Sequence, residues 1–457
     1  MSGIKRRTVL AGGAAGLAAA ALPGCSKDEG DTGPTLPAGI DHVVVVMMEN
    51  RSFDHYLGAL KLEAGMDIDG LDGSESNPNL AGDDVPVFHL TETCQHDPPH
   101  GWGSSHDQYA EGENSGFVTE HEGRVGRSQG DWVMGYYTDA ELPTHWALAQ
   151  HYCVPDAFFC SVMGPTWPNR LYGHSASSDG AQDNDVANVP FPQKTIYDAL
   201  EEAGLDWRYY YTDVPFLGLF EDQWDDARTG FVEDFLDDAE KGQLPEFTWV
   251  DPGFSYNDDH PPHHVGLGQM FLALVYEALA RSPVWERTLL VITYDEHGGF
   301  FDHVPPPQVR DERADEGFDQ LGFRVPALVV GPWVKQGVES TVFDNASVLK
   351  YVCERFGLPL WNERLEGIAS LGECLDVDRM DRNEPLEPLA LEPFEVDDSE
   401  IGEDCDYNFR SGSRTGQPEL EAWVEAHMPG TARYDKAVIH AALMERARRW
   451  GLVTNGA

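Results

Sequence analysis

The sequence predicts an α/β sandwich, with a mostly parallel central sheet and helices on both faces. Three observations lead there. Ile40 to Met48 is an apolar, largely β-branched run broken only by Asp41 and His42, the pattern of a strand buried on both faces. Further strand-like runs alternate along the chain with segments of helical periodicity. Carboxylates stand directly after two of these strands, where ligands gather in open α/β sheets.

Taken in order, the chain opens on an address. Lys5-Arg6-Arg7-Thr8-Val9-Leu10 followed by a Gly/Ala-rich apolar run to Leu22 reads as a twin-arginine export signal over residues 1–24. The run Val9 to Leu22 is too short to span a membrane comfortably. It ends in Leu22-Pro23-Gly24-Cys25, which resembles a lipobox with Cys25 as the lipidated first mature residue, although Pro at its second position is atypical. Plain cleavage nearby is the alternative. Residues 25–38 form a polar tether, and residues 39–375 a catalytic domain.

Within that domain the strands are Ile40–Met48, Phe247–Val250, Thr288–Tyr294 and Val325–Val330. Phe271, Leu274, Val275 and Ala278 repeat at i, i+3, i+4, i+7 and predict a helix before the third strand. Pro192 to Leu200 opens another helix that stops near Gly204, and Asn345 is the expected N-cap of a helix ending at Gly357. Residues 376–457 hold an acidic, Pro-containing excursion and a basic amphipathic helix from about Asp435 to Trp450. The stretches from Asp67 and from Asp376 lack the Gly that an EF-hand loop needs at its sixth position.

Composition narrows the function. There are 79 Asp+Glu against 31 Lys+Arg, a formal charge of −48. Such a chain repels phosphate backbones and anionic lipid faces, which excludes general nucleic-acid binding. Acid-rich, Lys-poor surfaces also suit high salt, where self-repulsion is screened. Of the seven cysteines, six remain if Cys25 carries lipid, an even number for an oxidising compartment. Six cysteines allow 15 pairings and the sequence does not choose one; Cys353 with Cys374 or Cys405 is one that their shared C-terminal region suggests, and free buried thiols are the alternative.

Three segments carry chemistry. Glu49-Asn50 follows the first strand and presents oxygen ligands suited to a hard cation. Asp295-Glu296 follows the third strand; adjacent carboxylates repel unless a cation or proton lies between them. Thr166, after Pro165 and at an expected helix start, sits where free N–H groups favour anions, and a metal beside it would turn its hydroxyl into a nucleophile. Two Pro-flanked histidine segments, around His100 and His260, offer proton donors or phosphoryl contacts.

These segments together resemble the bacterial phosphoesterase family that holds metal-dependent phospholipases C, outside the trinuclear-zinc type, and a related acid phosphatase. The resemblance runs through Glu-Asn-Arg-Ser-Phe-Asp-His (49–55), Pro-His-Gly-Trp (99–102), Pro-Thr-Trp-Pro-Asn-Arg (165–170), Asp-His-Pro-Pro (259–262) and Asp-Glu-His-Gly-Gly-Phe-Phe-Asp-His-Val-Pro-Pro-Pro (295–307). It implies an alkaline-phosphatase-like three-layer α/β/α sandwich. It implies one divalent metal held by Glu49, Asn50, Thr166, Asp295 and Glu296, with Thr166 attacking phosphorus to give a phosphothreonine. His100 and His260, with Asn50, would contact the phosphoryl group, and one imidazole would protonate the leaving oxygen. The oxygen-rich ligand set fits calcium, magnesium, manganese or iron and leaves zinc open. The substrate would be a phospholipid headgroup diester or a phosphomonoester, met at the periplasm or cell surface. The chain carries no clear additional β-domain after residue 358. Cys153-Val154-Pro155-Asp156-Ala157 has Ala where a sulfatase frame needs Arg, so sulfatase chemistry is not expected. The rival reading is a non-catalytic surface lipoprotein that captures phosphate or metal without turnover.

Overall fold

The run His42–Met48 forms β1, fully buried, near the middle of an eight-stranded sheet in a computed structural model that describes residues 39–126, 129–396 and 415–454. The export signal, Cys25, the tether and Cys405 fall outside the described residues. The other strands are β2 (Cys153–Pro155), β3 (Trp207–Tyr211), β4 (Thr229–Phe231), β5 (Phe247–Asp251), β6 (Thr288–Tyr294), β7 (Leu328–Val330) and β8 (Gly337–Glu339). Their order is β8-β2-β7-β6-β1-β5-β3-β4. Among these strands β7 alone runs antiparallel to the rest. The expected mostly parallel sheet is therefore present. The last predicted strand is shorter than its apolar run, since Pro326 has no N–H to give the ladder.

Helices cover both faces. On one side α3 (Thr166–Ser175) packs against α4 (Ile196–Ala203) and α7 (Asn345–Phe356). On the other, the apolar α6 (Val265–Ala280) is flanked by α2 (Pro143–His151), α5 (Val232–Lys241) and α9 (Lys436–Trp450). A shorter α1 (Trp102–Tyr109) follows the His100 loop. Between the acidic excursion and α9 lies α8 (Pro418–His427), anchored where Trp423 Nε1 donates to the Gly218 carbonyl at 3.1 Å.

Local chemistry sets the helix ends. Thr195 and Asp198 form a reciprocal capping box that starts α4 at Ile196, four residues later than its Pro192 opening predicts. The cap of α7 is Asp344, not Asn345: the Asp344 side chain accepts from Ala346 N, and Asn345 becomes the first helical residue. Asn345 Nδ2 instead lies 3.4 Å from the Asp295 carbonyl.

The expected cysteine pairing is overturned. Cys353 and Cys374 are free and buried, as are Cys153 and Cys160, while Cys94 is disulfide-bonded. Cys353 sits inside α7, and the Cys374 thiol neighbours Cys153 rather than Cys353. Closeness along the chain carried no information about which sulfurs the sheet brings together.

Leu290, in mid-β6, sits between Val44 of β1 and Val330 of β7 and is 1% exposed. Leu290→Ala is expected to cost about 2–5 kcal/mol of stability, read as a lowered urea midpoint at unchanged slope.

Candidate active site

Parallel pairing places Met48 opposite Tyr294, so β1 and β6 end level and their next residues leave the sheet side by side. Those residues are Glu49-Asn50 and Asp295-Glu296, all fully buried. The two turns are tied together. Asn50 N donates to Asp295 Oδ1 at 3.0 Å, Glu296 N donates to the same oxygen at 2.8 Å, and Gly298 N donates to Glu296 Oε2 at 2.6 Å. Gly298 has φ +67°, and a Cβ there would lie 1.9 Å from Asn50 Oδ1, so only glycine fits this approach.

Thr166 is the first residue of α3, and its Oγ1 donates toward Glu49 Oε2 at 3.4 Å. One turn further along the same helix face, Arg170 is wholly buried. Its Nε donates to Glu49 Oε1 at 2.8 Å, its Nη1 to Asp251 Oδ1 at 2.9 Å and its Nη2 to the Met47 carbonyl at 3.0 Å. The same Nε stands 3.5 Å from Asp295 Oδ2. Asp251 ends β5, the neighbour of β1 on its other side. Sequence reasoning quoted Arg170 within its motif without giving it a role; its i+4 spacing from Thr166 was the available signal.

One guanidinium cannot balance four buried carboxylates. Burial pushes Glu49 up, with the Asp295 charge adding and Arg170 opposing. Burial raises Asp295 against the pull of Arg170. Burial also carries Glu296 up to about 8, restrained by His100 and reinforced by Asp295. Asn50 Oδ1, Asp295 Oδ2 and Glu296 Oε1 are buried without a hydrogen-bond partner among the described residues. Unsatisfied buried oxygens are costly unless something cationic meets them. The expected ligands therefore fit a hard divalent cation on their chemistry.

Among the described residues, two tight clusters of ligand-type residues lie elsewhere. Asp97, His100 and His260 form one, and Asp54, Asp302 and His303 another, each with donor atoms within 4.8 Å of one another. The second already holds a cation: Arg324 donates to Asp302 Oδ1 at 2.9 Å and to Asp54 Oδ1 at 3.1 Å.

The first cluster faces a cleft of about 380 Å³ lined by Asp97, His100, Pro165, His260 and Gln417, among others. His100 reaches inward, its Nε2 lying 3.4 Å from Asn50 Nδ2 and 3.8 Å from Glu296 Oε1. Burial alone would depress His100, but the carboxylates of Glu296 and Asp97 outweigh it and push it up to about 10. Burial lowers His260, and the nearby Asp97 does not fully offset it. Asp97 stands 3.3 Å from His100 Nδ1 and 4.0 Å from His260 Nε2, and it takes Arg124 at 3.0 Å. Sequence reasoning missed Asp97. The structure thus joins Glu49, Asn50, Asp295, Glu296 and Thr166 at the strand ends, with His100 against them and His260 across Asp97 at the cleft.

A sequence model described as the phosphoesterase family matches residues 40–359. The chain belongs to the phosphoesterase family. Among its relatives, "Non-specific phospholipase C1" of Arabidopsis thaliana is 38% identical over 331 residues, covering 65% of this chain and 62% of that protein. "Non-specific phospholipase C6" of the same plant is 33% identical, covering 78% and 79% respectively. "Phospholipase C B" of Mycobacterium tuberculosis is 32% identical, covering 73% and 76%. The chain thus spans 62% of the length of the first of these relatives and about three quarters of the other two. A solved structure of a protein in the alkaline phosphatase superfamily from Vibrio parahaemolyticus aligns with TM-score 0.35 at 12% identity, over 92% of this chain and 91% of that one.

Removing Arg170 isolates a buried negative cluster. Arg170→Met is expected to cost about 3–5 kcal/mol in chelator-treated protein, measured by thermal unfolding. Burial raises the folded-state pKa of Glu49 and Asp295 above their unfolded values, so the folded variant binds more protons and the loss shrinks as pH falls.

Proposed function

We propose that this chain is an exported, metal-dependent phosphoesterase that cleaves phospholipid headgroup diesters or phosphomonoesters through a phosphothreonine on Thr166. The observation that carries the reading is Thr166 at the head of a helix, its hydroxyl aimed at Glu49, with the unmet oxygens of Asn50, Asp295 and Glu296 at the adjoining strand ends. The family membership and the names of the relatives agree with phosphoester chemistry.

Phosphoryl transfer asks for in-line attack and neutralised oxygens. A divalent cation held by Glu49, Asn50, Thr166, Asp295 and Glu296 would lower the hydroxyl pKa and neutralise phosphoryl oxygens. Glu49 Oε2 gives the Thr166 proton an acceptor. The Thr166 Oγ1–P bond forms as the ester P–O bond breaks. His100, 3.8 Å from Glu296 Oε1 and 3.3 Å from Asp97 Oδ1, offers an N–H to a phosphoryl oxygen. A proton from the His100–His260 pair reaches the leaving oxygen. Water then breaks the P–Oγ1 bond, releases the phosphate product and restores the hydroxyl.

The N-terminal Lys5-Arg6-Arg7 and the apolar run behind it support twin-arginine export, and Cys25 supports a lipid anchor at the periplasmic or outer cell surface.

Thr166→Ala is expected to abolish turnover of both p-nitrophenyl phosphate and p-nitrophenylphosphorylcholine while circular dichroism stays unchanged. Full activity in that variant would refute the nucleophile. Chelation is expected to remove activity and one divalent ion to restore it, with metal content measured on the same sample. Stoichiometric phosphate binding with no turnover of either ester would favour a capture protein instead. Preference for the choline diester or for the monoester tells the two substrate classes apart.

A further inference from the structure

A residue far beyond the family-matched segment reaches the nucleophile. Gln417 is 4% exposed and precedes α8. Its Nε2 lies 3.2 Å from Thr166 Oγ1 and 3.4 Å from Glu49 Oε2. Its Oε1 accepts from Trp167 Nε1 at 3.2 Å and from Asn184 Nδ2 at 3.5 Å.

This arrangement fixes which way the carboxamide points. An indole N–H only donates, so the group facing Trp167 Nε1 is the oxygen. The amide N–H groups therefore face Thr166 and Glu49. Trp167 is itself fully buried, and its backbone N–H is held by Asn184 Oδ1 at 2.8 Å, so both anchors are packed into the start of α3.

The segment carrying Gln417 is pinned as well. Thr415 N and Oγ1 both donate to Glu421 Oε1, at 2.8 and 2.7 Å, and Gln417 N donates to Thr415 Oγ1 at 3.1 Å. Pro418 pre-sets the first turn of α8. A side chain with both ends bonded, on an anchored helix start, is a pre-organised donor rather than a loose latch.

We infer that Gln417 is a catalytic hydrogen-bond donor to the Thr166 oxygen. It holds that oxygen in place and stabilises the negative charge that gathers there as the proton leaves, and again when water displaces that oxygen from phosphorus. Gly416, Gln417 and Glu419 line the same cleft as His100 and His260, so the C-terminal segment supplies one wall of the site as well as this donor. The inference rests on Thr166 as the nucleophile.

The test compares Gln417→Leu, which keeps bulk and removes the donor, with Gln417→Asn, which draws the amide back from Thr166. Both are assayed in the full metal-loaded chain beside Thr166→Ala, on p-nitrophenyl phosphate and p-nitrophenylphosphorylcholine. We expect kcat to fall about 10- to 100-fold in each Gln417 variant. KM should stay within about twofold, because the donor acts on the nucleophile and not on the substrate's departing group. The loss should be the same for both esters, and phosphate inhibition should be unchanged. If one variant fails to fold, the other decides. An unchanged kcat, or a loss confined to KM, overturns the assignment. A rise in kcat also overturns it and makes Gln417 a shield over the nucleophile. Should Thr166→Ala stay active, the nucleophile reading fails whatever Gln417 does; should it be dead while both Gln417 variants are unaffected, only the Gln417 assignment fails.

Discussion

Everything at this site depends on one register. Because β1 and β6 pair in parallel with Met48 opposite Tyr294, two strands deliver Glu49-Asn50 and Asp295-Glu296 to one point. A parallel partner is what makes this work: an antiparallel neighbour would send its carboxyl end to the opposite edge of the sheet. Side-chain alternation makes a one-residue slip costly, since it would turn each residue of β1 to the other face. Both strands are buried along their whole length, so the core fixes the register and the register fixes the site.

The second constraint is charge. Three buried carboxylates around one guanidinium, with Glu296 beside them, is a poor arrangement for stability. Arg170 makes it tolerable by touching Glu49, Asp251 and Asp295 at once and by capping backbone carbonyls of β1 with its remaining donors. The deficit that remains is what a cation would fill. Around it the surface is strongly acidic, with a formal charge of −48 overall. An anionic ester would meet that repulsion up to the cleft, whose lining mixes Arg124 and His100 with Asp97, Asp183 and Glu419. A zwitterionic headgroup escapes most of that long-range repulsion, because its charges cancel at a distance.

Much of this was legible in the sequence, for a physical reason. β1 and β6 announce themselves because strands buried on both faces need continuous apolar runs, and the acids that follow have no structural reason to be there. Thr166 was legible because a Pro before it and helical spacing after it mark a helix start. Arg170, Asp97 and Gln417 were not. Each gains its meaning from a partner more than a hundred residues away or from a loop whose path the sequence does not give. β2 and β8 are three residues each and too short to show a period. Cap choice between Asp344 and Asn345 turned on backbone geometry, since either side chain can accept from the first helical turn. The cysteine pairing failed because sulfur contacts follow the sheet and not the spacing.

The contact between Glu49 and Gln417 spans 368 positions of chain. Seen during synthesis, that separation means that Glu49 and Thr166 emerge from the ribosome long before Gln417 does. The strand, helix and carboxylates around Thr166 can assemble while the wall of the cleft is still untranslated. A nascent chain therefore carries the parts of its reactive centre without the enclosure that completes it, and long-range contacts of this kind are the slow ones to form. Maturation of this protein ends, in a structural sense, when its carboxyl-terminal segment comes home to its first strand.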